Sequence, residues 1–175
     1  MRKALIKQKI IGFAFVSVAG TLLHFVFDWC GQNWFAALFS AVNESVWEHM
    51  KLLYIPLLLF AVGERIFGRT DNCFWCVKLS SALLGLLVIP TLYYLYTGAL
   101  GVSADWFNIT IFFIAAAVSF FADYLLSVNK KGCFLSNTLC FAIFIFIGLL
   151  FVIFTFWPIH IPLFEDPVTK QFGMP

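Results

Sequence analysis

Histidines and carboxylates close together can hold a metal ion, pass a proton or orient one another. This 175-residue chain gathers most of its own into three short stretches. In the first, His24 and Asp28 are four residues apart, one above the other on a helix face. Such a pair either ligates one metal or forms a carboxylate–imidazole hydrogen bond. The second is Asn43-Glu44-Ser45-Val46-Trp47-Glu48-His49-Met50-Lys51. Asn43 suits a helix N-cap and Glu44 the first turn, where the helix dipole favours an anion. Glu44, Glu48 and Lys51 then share a face with Trp47 beside them, and His49 points about 100° away from Glu48. In the third, His160 stands between Pro158 and Pro162, followed by Glu165 and Asp166. The prolines forbid a continuing helix and could return His160 towards His24 and His49.

Three histidines with carboxylates nearby fit a zinc site with an open position, where water becomes a nucleophile near neutral pH. On that reading His24, His49 and His160 are ligands, and Asp28 is a ligand or supports one. Glu48 or Glu44 acts as general base, while Asn43, Trp47, Lys51 and Asp166 line the site. A hydrogen-bonded polar network without metal accounts for the same residues, and so does a transport path. No HExxH, Gly-x-Ser-x-Gly, phosphate-loop or nucleotide-binding pattern occurs.

The elements that must position these groups are membrane helices. The chain is 62% hydrophobic and 11% charged, with 23 phenylalanines and a mean hydropathy of +0.95, which excludes an ordinary soluble domain. A net charge of +2 spread over the flanks of apolar runs does not indicate a nucleic-acid binder. About twenty apolar residues cross a bilayer. Five runs qualify, at about 10–28, 46–67, 76–98, 106–127 and 134–157. The apolar stretch 31–41 is too short and reads as an interfacial or re-entrant piece. Residues 158–175 form a proline-rich tail. The first run lacks a cleavage site and reads as an uncleaved span. The expected fold is therefore a single all-α bundle of about five spans.

Alternation of the spans places Arg2, Lys3, Lys7, Lys9, Arg65, Arg69, Lys78, Lys130 and Lys131 on one side, against Lys51 and Lys170 on the other. The positive-inside rule makes the first side cytoplasmic. In a plasma membrane the N-terminus is then inside, and the C-terminus and all three histidines are outside. Glu64 and Asp123, close to span ends, read as ordinary pairing or snorkelling. Five cysteines indicate no disulfide framework. Cys73 and Cys76 have the spacing of a redox pair, but outside a βαβ context they read as small apolar residues at a helix start.

The block from Asn43 to Lys51 resembles the hallmark of a family of uncharacterised bacterial integral membrane proteins. The likeness extends over nearly the whole chain, through His24-Phe25-Val26-Phe27-Asp28-Trp29, Gly31-Gln32-Asn33, Tyr96-Thr97-Gly98 and the stretch from His160 to Thr169. That resemblance implies a small membrane protein and assigns no activity. In chemistry alone, the His and Asp set is similar to that of alkaline ceramidases and progestin-receptor-like proteins, which have seven spans. Three functions stay open: a metal-dependent hydrolase of lipid-like substrates, a small-solute permease or membrane substrate-binding subunit, and a sensor or structural protein. The permease reading calls for a homodimer or a partner membrane subunit, since five spans are few.

Overall fold

The computed structural model describes residues 2–68, 72–129 and 135–174. Among them are six helices and no β-strand: α1 (Arg2–Trp29), α2 (Trp34–Ala37), α3 (Val46–Phe67), α4 (Phe74–Leu100), α5 (Asp105–Asn129) and α6 (Asn137–Phe156). The all-α reading holds. α1 starts eight residues before the expected span because its prelude of Arg, Lys, Ala, Leu, Ile and Gln consists of good helix formers. The stretch 31–41 contains only the single turn of α2, capped by the Asn33 side chain accepting from the Phe35 N–H. Arg69, Lys130 and Lys131, which enter the charge count, and residue 134, where the fifth run opens, lie outside the described residues.

Side-chain contacts show how the helices alternate. The end of α1 meets the start of α3 through His24, Glu44 and His49. The end of α4 meets the start of α5 through Tyr96 and Asn108, and the starts of α4 and α6 are joined through Cys76 and Cys140. Lys9, Glu64, Lys78 and Asp123 close the opposite end, from the start of α1, the end of α3, the start of α4 and the end of α5. Each long helix therefore runs the full height of the bundle, antiparallel to the next.

Four of them, α1, α4, α5 and α6, are long and apolar enough to cross a membrane. α3 is different in kind. It carries Glu48, Lys51 and Glu64, all buried, and its Leu53 and Tyr54 are fully enclosed. A helix face packed against other helices does not meet lipid, so it can keep charges that a lipid-facing surface would expel. Close approach to α3 and within the α4–α5 pair depends on small residues. A Cβ at Gly20 would meet the backbone carbonyl of Leu52, and one at Gly85 would collide with Ser119. Exposed Trp29, Trp34, Trp106 and Trp157 ring the His/Glu end of the bundle, as the aromatic belt of a membrane interface does.

The cysteines correct the sequence reading. Cys76 and Cys140 form a disulfide, and Cys73 is disulfide-bonded as well, leaving Cys30 as a free, exposed thiol. Chain spacing could not reveal this, because the bond joins positions 64 residues apart on two helices.

Candidate functional site

The helical start of α3 creates the site. Ser45 is the N-cap, its hydroxyl accepting from the Glu48 N–H. Asn43, the cap expected from sequence, instead accepts from the Ser45 N–H and donates its side-chain amide to the Gly173 carbonyl at 2.8 Å. Glu44 therefore lies before the helix, not in its first turn, and its side chain swings out towards α1. There it meets His24 from the last turns of α1 and His49 from the first turn of α3. Glu44 Oε1 is 3.5 Å from His24 Nε2, and its Oε2 is 3.6 Å from His49 Nε2. One donor atom from each of the three residues lies within 4.8 Å of the others.

Two physical points bear on what this trio can hold. Zinc bonds nitrogen and oxygen at about 2.0–2.1 Å, so neighbouring ligands in a tetrahedral site are about 3.3–3.4 Å apart. The imidazole–carboxylate gaps here are within a few tenths of an ångström of that edge. Second, His49 Nδ1 donates to the Ser45 carbonyl at 2.9 Å, which leaves the Nε2 lone pair of a neutral ring beside a carboxylate oxygen. That lone pair and the carboxylate oxygen 3.6 Å away could share a bridging cation or a water molecule. A histidine held by a backbone carbonyl through its other nitrogen is the usual support of a metal ligand. The Glu44 carboxyl is held below its ordinary range, chiefly by the hydrogen bond from His24 and then by the charge of His49, against partial burial.

Glu44 and His49 also line a small open cleft between α3, α4 and α5, together with Ile89, Tyr93, Asn108 and Phe112 among others. Its walls are apolar and aromatic, and its polar groups gather at the His/Glu end.

The other expected site residues are elsewhere. Asp28 is exposed, one turn past His24, and accepts from the Gln32 side chain at 3.4 Å. His160 is exposed and packs on the Phe172 ring, outside the trio. Asp166 is buried and caps a turn by accepting from the Val168 and Thr169 N–H groups. Trp47 packs among Phe151, Phe154 and Phe164, with its backbone N–H donating to Leu163. Glu48 and Lys51 form a sealed network of their own. Lys51 Nζ is 2.6 Å from Glu48 Oε2 and donates to the Ala37 carbonyl, and Thr155 donates to Glu48 Oε1 at 2.7 Å. The tail closes over it, with the Met174 N–H donating to the Thr155 carbonyl.

Sequence reasoning missed a second charged cluster. Lys9 lies 3.2 Å from Glu64 and 2.9 Å from Asp123, and Lys78 pairs with both carboxylates; all four are buried. Each looked like a flank residue near a span end. The available signal was depth: Lys78 lies inside an apolar run, and Asp123 has apolar residues on both sides.

A family described as a family of unknown function (DUF6512) matches residues 1–174 of the chain. No curated protein and no solved structure matches it.

Proposed function

The chain belongs to the family of unknown function DUF6512, a membership that brings no chemistry with it, and we propose that it is a metal-dependent membrane hydrolase acting on a lipid-like amide or ester at the outer membrane face. The observation that carries this reading is the convergence of His24, Glu44 and His49, of which Glu44 and His49 also line an apolar cleft. Three protein ligands with a fourth position open is the make-up of a catalytic zinc site. A zinc ion held there supplies Lewis-acid polarisation of a carbonyl and an acidified water. The chain's own residues do the rest. Ser45 holds His49 in the ligating tautomer, and Glu44 spans both histidines through its two oxygens. Asp28, one turn beyond His24 on the same face of α1, adds negative charge near that ring. Ile89 and Phe112 of the cleft give the site an apolar flank, as a lipid-like substrate requires.

The test is metal content of the detergent-purified protein by mass spectrometry, for wild type and for His24→Ala, His49→Ala and Glu44→Gln. The expected result is about one zinc per chain, lost in all three variants while the helical circular dichroism signal is kept. A wild type that carries no metal after zinc loading and washing overturns the reading.

The permease reading draws on the second buried cluster, which puts ionisable groups at both ends of α3. Between them, however, α3 presents Leu52, Leu53, Ile55 and Ala61 to the core, and the Tyr54 hydroxyl is occupied by the Phe144 carbonyl. No polar path joins the two ends among these residues, so hydrolysis remains the first reading.

A further inference from the structure

We propose that residues 158–174 are a strap that positions Glu44 between His24 and His49, with Asn43 and Gly173 as positioning residues, and that seating of the strap sets the affinity of the trio for a divalent cation. The effect on affinity rests on the metal reading above; the placement of Glu44 does not.

The strap is closed by its own backbone. Asp166 accepts from the Val168 and Thr169 N–H groups through its side chain and from the Lys170 N–H through its carbonyl. Glu165 and Phe172 pair in an antiparallel bridge. On either side of this turn the chain grips the start of α3. Before it, the Leu163 carbonyl accepts from the Trp47 N–H at 3.0 Å. That donor belongs to the first turn of α3 and has no acceptor within the helix. Phe164, 4% exposed, packs on the rings of Trp47 and Phe154. After the turn, the Gly173 carbonyl accepts from the Asn43 side-chain amide at 2.8 Å, and the Met174 N–H donates to the Thr155 carbonyl at 3.1 Å. Gly173 has a φ of +72°. A Cβ there would stand 2.9 Å from the Pro158 ring and 3.0 Å from the Thr155 carbonyl oxygen, so any side chain at this position strains the seat.

The consequence falls on Glu44. Its neighbours in the chain are Asn43, whose Oδ1 accepts from the Ser45 N–H at 3.0 Å, and Ser45, whose carbonyl holds His49 Nδ1 at 2.9 Å. The backbone of Glu44 is thus tied to the strap through Asn43 and to α3 through Ser45. Its own carboxylate gives little hold. The imidazole contacts of 3.5 and 3.6 Å are longer than charge-assisted hydrogen bonds of about 2.7–2.9 Å. A binding constellation has to be kept within about 0.5 Å of its working geometry. Unseating Gly173 removes the anchor of Asn43, which lies 130 residues away in the chain. Glu44 can then leave the two rings while His24 and His49 stay on their helices.

The experiment reads the histidines directly. The full chain, carrying isotope-labelled histidine, is kept metal-free in detergent micelles at one fixed pH and its side-chain signals are recorded by NMR. Wild type is compared with Gly173→Val, Phe164→Ala and Glu44→Gln, and signals are assigned with His24→Ala and His49→Ala. Gly85→Leu crowds the α4–α5 contact without touching the strap and controls for general loosening. Both strap variants should move the His24 and His49 signals towards their Glu44→Gln positions, and Gly85→Leu should leave them in place. Zinc affinity, measured by competition with a chromogenic chelator, should fall by about tenfold or more in both strap variants, as it does when a group that orients a ligand is lost. Signals that stay at their wild-type positions in Gly173→Val and Phe164→Ala overturn the strap. An equal displacement in Gly85→Leu overturns it as well. Histidine signals that respond as expected in a protein that binds no zinc uphold the placement of Glu44 and end the metal reading. Zinc that wild type binds, Glu44→Gln loses and the strap variants keep does the reverse.

Discussion

Glu44 offers the most direct handle on the site. Its carboxyl is held below the ordinary value of 4.5, first by the His24 hydrogen bond and then by the His49 charge, against desolvation. A carboxyl whose folded pKa is depressed contributes stability that is complete above its unfolded pKa and lost as pH falls through the folded one. Thermal stability of the metal-free protein should therefore decline on acidification below about pH 4.5, and Glu44→Gln should flatten that limb; an unchanged limb would locate the acid sensitivity elsewhere. The sealed Glu48–Lys51 pair predicts a different pattern. Lys51→Met leaves a buried carboxylate unpaired and should cost about 3–5 kcal/mol, with the Glu48→Gln/Lys51→Met double variant recovering much of it. Reversible denaturation in mixed micelles reads both, and strict additivity would show that the pair is not coupled. The type and clustering of His24, Glu44 and His49 were visible in the chain. Their separation from Glu48 was not, because Ser45 rather than Asn43 caps α3, which leaves Glu44 before the helix while Glu48 is buried within it; nor was that from His160, which the tail packs against Phe172.

At the scale of the helices, apolar run length gave good access to the long elements, since an 18-to-25-residue hydrophobic stretch in a bilayer has no alternative to a helix. Proximity between helices was less accessible. Gly85 lies where α4 and α5 press together, and Gly85→Leu should destabilise by at least about 1–3 kcal/mol through overpacking. Gly98, with nothing near its missing Cβ, is the control and should tolerate Ala. Equal effects at the two positions, measured by thermal melting in detergent, would contradict the packing shown by Ser119 and Ala115 around Gly85. The charged cluster of Lys9, Glu64, Lys78 and Asp123 illustrates the same limit: each member is legible as a charge near a span end, yet its two partners come from two other helices.

For the whole molecule, the proposed orientation makes Cys30 a reporter. It is exposed at the His/Glu end, so a membrane-impermeant maleimide should label it in intact cells if that end faces outward. Labelling only after permeabilisation would invert the topology, placing the trio inside and the disulfides outside. Hydropathy and composition by themselves determined a helical membrane bundle and a concentration of His and acidic groups towards one end, because burial in hydrocarbon constrains every residue of a span at once. Only the tertiary structure decided which of those groups meet, that the charged face of α3 is buried, and that Cys76 bonds Cys140. Those outcomes depend on helix rotation and on contacts between residues far apart in the chain, and neither is encoded in local spacing.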